Sequence, residues 1–355
     1  MTKPQAKAAK VALKRAQAGI LPSQAIEALI AQGEVRLAEP LLPNQLQPAS
    51  LDLRLGTVAY RVRASFLPGR GERVADKLDD LQLHAISLSQ GAVLETGCVY
   101  VAPLLEGLAF SDNLSAATNP KSSTGRLDVF TRVIADGVSA FDQIPAGYDG
   151  PLYAEICPQT FPVVVRRGSR LSQIRFRAGG GSEAEVVDEV ALSVDLTGDK
   201  GGLVGYRAKR HTGLVDVDVV GGCPVFDYWE PIYVRDKKRL ILDPDQFYIL
   251  ASKEAVHVPP TQAAEMVPFN PLVGEFRVHY AGFFDPGFGY AAAGGEGSRA
   301  VLEVRSHKVP FILEDGQTIG RLVYERLTET PKLLYGRDLA SHYQAQGLKL
   351  SKHFK

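Results

Sequence analysis

The chain writes one passage twice. Residues 154–176 read AEICPQTFPVVVRRGSRLSQIRF, and 302–324, displaced by 148 positions, read LEVRSHKVPFILEDGQTIGRLVY. No gap separates the copies: Glu155 answers Glu303, Pro162 answers Pro310, Gly168 answers Gly316, and Phe176 answers Tyr324. The match extends backwards, with GAVLETGCVYVAPLLEGLAF (91–110) lying over RLILDPDQFYILASKEAVHV (239–258), so that Tyr100 meets Tyr248 and Glu106 meets Glu254. Further back, SLDLRLGTVAYRVR (50–63) fits SVDLTGDKGGLVGYRAK (193–209) only with a three-residue gap. A chain of 355 residues with this repeat is expected to fold as two copies of one unit.

Each copy reads as strand. Apolar, β-branched and aromatic runs such as VYVAPL, PVVVRRG and PFILEDG are cut by Pro, Gly and Asp at short intervals. Helical spacing is nearly confined to LPSQAIEALIAQG (21–33), where Ser23 is expected to cap, Ile26, Leu29 and Ile30 to form one face, and Gly33 to stop the helix. The glycine-rich, acidic AGGGSEAEVVDE (178–189) reads as a linker. The expected division is a basic tail over 1–21, a first repeat over 22–178, a linker over 179–189, a second repeat over 190–327 and a C-terminal tail over 328–355. The fold class is mainly β, two closed or sandwich-like β-domains with few helices.

Composition narrows function. Forty basic and forty acidic side chains cancel, so no global field favours nucleic acid or an anionic membrane. No apolar run reaches the roughly 20 residues of a membrane span, and no apolar stretch follows the N-terminal lysines as a secretory signal requires. Three widely spaced cysteines, Cys98, Cys157 and Cys223, fit reduced thiols and a cytoplasmic setting.

The motifs of several chemistries are missing: no Cys-x-x-Cys or His-x-Glu for a zinc deaminase, no phosphate loop of the Walker type, no Gly-x-Ser-x-Gly elbow. What stands out is NPKSSTGRLDVF (119–130), two hydroxyls and two cations inside an apolar repeat. Lys121 and Arg126 beside backbone amides suit phosphate oxygens, although Ser-Ser-Thr-Gly alone reads more readily as a plain turn. Glu155, between Tyr153 and Ile156, has the apolar setting that raises a carboxylate's pKa, which suits a general base; a solvated strand end is the plainer reading.

The order QPASLDLRLG (47–56), VYVAPLLEGLAF (99–110), KSSTGR (121–126) and GYDGPLYAE (147–155), followed by the block from Gly168 to Phe176, resembles the dCTP deaminase family, relatives of the trimeric dUTPases. YGRDLASHYQAQG (335–347) is similar to that family's Tyr…Lys-Tyr-x-x-Gln tail, and the doubled length to its long, tandem form. The resemblance implies two tandem dUTPase-like β-barrel or β-clip domains. It also implies hydrolytic deamination of dCTP to dUTP and ammonia, feeding thymidylate synthesis. By the same resemblance Glu155 is the general base, Ser122 and Arg126 its support, and Lys121 and Ser123 phosphate contacts. Tyr335, His342 and Gln346 fall on the tail's phosphate-binding positions, with His342 where the family has Lys. Mg²⁺ is expected with the triphosphate, and zinc is not. A homo-oligomer with sites at repeat or subunit interfaces is expected, without nucleic-acid or membrane partners.

The copies depart from the pattern in opposite ways. Copy one keeps the Ser/Arg loop but has Ile144-Pro145-Ala146-Gly147 where the family has Ile-Asp-Pro-Gly. Copy two keeps Phe284-Asp285-Pro286-Gly287 but reads NPLVGEFR (270–277) in place of the loop. The expectation is a composite site, with the loop and Glu155 from copy one and Asp285, contacting the sugar, from copy two, closed by a mobile tail. The alternatives are a dUTP diphosphatase, a bifunctional deaminase/diphosphatase, and a non-catalytic nucleotide-binding regulator.

Overall fold

A side-chain period of two fixes the register of these strands, because a slip of one residue would exchange the side chains of their two faces. In the computed structural model, Glu155 on strand Asp149–Pro158 stands opposite Val101, and Glu303 on strand Ser298–Ser306 opposite Ile249. Both members of the second pair lie 148 positions beyond those of the first. The same displacement relates Ser172–Pro120 to Gly320–Pro268 and Val163–Leu94 to Phe311–Leu242. Tyr60 opposite Val101 recurs as Tyr206 opposite Ile249. Tyr206 lies 146 beyond Tyr60 while Val194 lies 143 beyond Leu51, so the three-residue gap falls between them.

The structure describes residues 18–179, 186–198, 201–233, 238–268, 276–279 (backbone only), 282–291, 297–306, 308–338 and 347–355. The fold is mainly β, as the sequence implies. The described strands form six sheets of two to six strands. Part of the expected linker is structured: Val186–Ser193 is a strand, antiparallel to Thr318–Arg326. The basic tail up to residue 17 lies outside the described residues.

The expected helix forms at Ser23–Gln32. Ser23 does not cap it; Pro22 takes that place and its carbonyl accepts from Ala25 and Ile26 N–H, while the Ser23 hydroxyl turns to Gln24. Gly33 ends the helix at φ +79°, the left-handed conformation glycine tolerates. Ile26 and Leu29 are buried among Leu21, Val35, Phe110 and Phe176, with Ile30 packed at the margin.

The largest core does not respect the repeat boundary. Ala154, Ile156, Phe161 and Val163 of the first half share it with Val215, Trp229, Phe247, Ile249 and Val301 of the second. Trp229 is fully buried, edge-on to Phe161 at 5.3 Å and to Phe354 at 5.7 Å between ring centres. The mobile C-terminal tail expected from its polar composition is therefore a correction for 347–355. Leu350, Ser351 and His353 are buried, and Phe354 plugs the aromatic cluster.

Polar contacts lock the two halves together. Arg175, fully buried, donates from Nη1 to Ala264 O at 3.0 Å and from Nη2 to Phe284 O at 3.3 Å, with its guanidinium 4.0 Å from the centre of the Phe283 ring. Arg177 pairs with Glu325 at 3.0 Å, Asn119 donates to Glu265 at 3.0 Å, and Arg305 reaches Asp128 and Thr160. Arg175→Ala strips two buried carbonyls of their donor and Asp285 of a cation, so unfolding in denaturant should show a loss of about 3–5 kcal/mol.

Candidate functional site

A pocket of about 280 Å³ opens where the halves meet. Its first wall begins at the end of strand Leu114–Pro120, where Lys121 N–H bonds Leu171 O at 2.9 Å. A single helical turn, Ser122–Gly125, follows; Arg126 N–H bonds Ser122 O at 3.1 Å, and the turn delivers the Arg126 side chain inward. Small residues permit so tight a turn, which is why the segment resembled a plain loop.

The opposite wall comes from the second half. Glu303, buried on its strand, places Oε1 3.8 Å from Arg126 Nε. Burial pushes the Glu303 carboxyl up to about 8, opposed only in part by the Arg126 charge. Asp285 is buried in the turn after strand Phe283–Phe284, 3.8 Å from Arg175. Burial raises it to about 6, against the pull of Arg175 and Lys121. Gly287 has φ +99°, and a Cβ there would sit 2.8 Å from Tyr335 O, so this turn needs glycine both for its conformation and for its approach to Tyr335. Tyr335 N–H bonds Pro286 O at 2.9 Å, and its ring lies 5.8 Å from Phe288.

The two ends of the pocket differ. Phe283, Phe284, Phe288, Met266 and Val301 make one side apolar. On the other, Lys121 and Arg170 face buried Asp52, the latter at 3.4 Å, and Lys352 stands near enough that their charges, with burial, lower its pKa. Three cations stand here with two carboxylates, Asp52 and Asp218, the latter also paired with Arg166 at 3.4 Å.

Lys121, Ser122, Ser123, Arg126, Asp285 and Tyr335 thus line one pocket. Glu155 is not among the pocket's lining residues. It is buried on the other side of the repeat relation, and Arg132 of its own half bonds it from Nε at 3.1 Å. Arg132 is itself held by Ser65 and stacked 3.5 Å from the centre of the Phe141 ring. His342 and Gln346 lie outside the described residues. The pocket residues that sequence reasoning did not assign to the site are Glu303, Arg170, Lys352 and Asp52. Asp52 stood within the SLDLRLG segment (50–56) and Arg170 within the block from Gly168 to Phe176, both already singled out; Lys352 carries no motif. Among the described residues, no three His, Cys, Asp or Glu side chains converge as a metal site would need.

The family model described as the N-terminal domain of 2'-deoxycytidine 5'-triphosphate deaminase matches residues 17–180, and that of its C-terminal domain matches 169–354. The chain belongs to the dCTP deaminase family. A solved structure of 2'-deoxycytidine 5'-triphosphate deaminase from Agrobacterium tumefaciens is 61% identical, with a TM-score of 0.84, covering 88% of this chain and 99% of that one. Shorter relatives match part of the chain. A dUMP-forming dCTP deaminase of Methanoculleus marisnigri is 30% identical over 161 residues, 44% of this chain and 79% of its own length. A dCTP deaminase of Haloarcula marismortui is 30% identical over 134 residues, 37% of this chain and 66% of its own length. Within this deaminase family, the pocket between Arg126 and Glu303 is the candidate active site.

Proposed function

We propose that this protein deaminates dCTP hydrolytically at a single composite site, with Glu303 rather than Glu155 as the proton carrier. The observation that carries the reading is the buried Glu303 carboxyl facing Arg126 across the repeat boundary. Glu155 is already neutralised by Arg132, whereas Glu303 lies at a cavity with room for a ligand.

The triphosphate is bound by Lys121, Arg170 and Lys352 with the Ser122–Ser123 turn, and the deoxyribose by Asp285, whose carboxylate accepts from the sugar hydroxyl. The base lies toward the aromatic side. Ionised Glu303 takes a proton from water, and the hydroxide adds to cytosine C4. The carboxyl delivers that proton to N3 of the pyrimidine and then carries the C4 hydroxyl proton to the departing amino group, so C4 becomes a carbonyl, ammonia leaves, and dCTP and water become dUTP and ammonia. Arg126 holds the charge that develops around the tetrahedral intermediate. Mg²⁺ would arrive with the nucleotide; the pocket carboxylates Asp52 and Asp218 already face cations, so phosphate oxygens and water would be its ligands.

Incubation with dCTP tests the reading directly: ammonia should appear in step with dUTP, without pyrophosphate. Equal release of pyrophosphate would mean a dUMP-forming enzyme, and no ammonia would refute deamination. The pH dependence follows from Glu303. At pH 7 only about a tenth of the free enzyme carries the ionised base, so kcat/KM should rise with unit slope to about pH 8 and then level. Stability should run the other way. The folded group holds its proton up to about 8 and the unfolded one only to 4.5, so this contribution is full below pH 4.5 and is lost as pH rises through 8.

A further inference from the structure

We propose that the C-terminal segment 347–355 is a fixed brace that positions Arg126 for reaction, with Ser351 as its main positioning residue. The proposal rests on the reading of Arg126 and Glu303 as the reacting pair. Sequence reasoning assigned this segment a closing motion; its geometry is that of a wedge driven between the two halves.

One side of the wedge is anchored in the second half. Gly221 N–H bonds Lys352 O at 2.9 Å, Cys223 N–H bonds His353 O at 3.0 Å, and Lys355 N–H returns to Cys223 O at 3.0 Å. Phe354 sits within 6.0 Å of the Phe161, Tyr228 and Trp229 ring centres. His353 places Nε2 2.9 Å from Val217 O and Nδ1 2.9 Å from Ser351 Oγ.

The other side touches the catalytic loop of the first half. Ser351 Oγ donates to Ser123 O at 2.8 Å, and Arg126 Nη1 donates to Lys349 O at 3.1 Å. A one-turn helix leaves its last carbonyls without donors inside the helix, and Ser123 O is one of them. The segment therefore grips both the turn that carries Arg126 and the guanidinium itself. Removing either grip returns rotamer freedom to a long side chain whose placement matters most when charge develops. Such a loss lowers turnover more than it weakens substrate binding.

Steady-state kinetics of Ser351→Ala on the full chain test this. The folded variant should lose about tenfold in kcat while KM for dCTP stays within about twofold. The acid limb of kcat/KM should also move to higher pH, because Arg126 is the charged group that favours ionised Glu303. A merely structural serine would leave that limb in place. If Ser351→Ala does not fold by thermal denaturation, Phe354→Leu, which keeps an apolar plug, is read in its place with the same expectation. Parental kcat and pH profile in the folded variant, alongside an inactive Glu303→Gln enzyme, would overturn the brace and leave the proposed reaction standing. An active Glu303→Gln enzyme would instead overturn the reaction on which the brace depends.

Discussion

Glu303→Gln should lower kcat for ammonia release from dCTP by about a thousandfold or more, because it keeps shape and hydrogen bonding while removing the only group proposed to carry the proton. The substituted protein should still bind dCTP. It should also be more stable than the parent at pH 9, since the parent then keeps an ionised carboxylate in a buried site and the amide does not. Glu155→Gln should leave kcat within tenfold. That substitution loosens Arg132 and costs stability, but it touches no group lining the pocket. Stopped-time ammonia assays on the two variants, with denaturant unfolding as a control, separate chemistry from folding. Equal loss from both would mean that each copy carries a working site.

Arg126→Ala should lower kcat by about 10²–10³, the usual cost of removing one charge-stabilising donor from an enclosed site. Its second effect distinguishes it from a damaged scaffold. Without the guanidinium 3.8 Å away, nothing charged offsets the burial of Glu303, so the acid limb of kcat/KM should shift above pH 8. Retained turnover with an unmoved acid limb would show that the pair across the boundary has no part in the reaction.

Much of this was written in the chain. The 148-residue displacement predicts paired registers because strand periodicity leaves no freedom to slip, and Glu155–Val101 and Glu303–Ile249 obey it. The loop at 121–126 and Asp285 were legible as complementary halves, since each copy lacks what the other keeps. Which glutamate lines the pocket was not legible. The two stand at corresponding places in the repeat and in matching register, and what separates them is tertiary: Arg132 folds back on Glu155, while Arg126 crosses the repeat boundary to Glu303. Arg132 lies directly across the ladder from Glu155, and a cross-strand reading would have found that pairing.

The tail misled for a different reason. Lys349, Ser351, Lys352 and His353 look solvated by composition, but Phe354 supplies the apolar anchor and backbone pairing with 221–225 supplies the rest. Lys352 likewise carries no motif, and chain topology alone brings it beside Lys121 and Arg170.

The central claim is one site per chain, built from both halves. Calorimetric titration of Glu303→Gln with dCTP measures it without turnover. One nucleotide per chain is the expected stoichiometry, with affinity weakened by Asp285→Ala and by Lys352→Met but not by Glu155→Gln. Two nucleotides per chain, or affinity indifferent to Asp285 and Lys352, would contradict it.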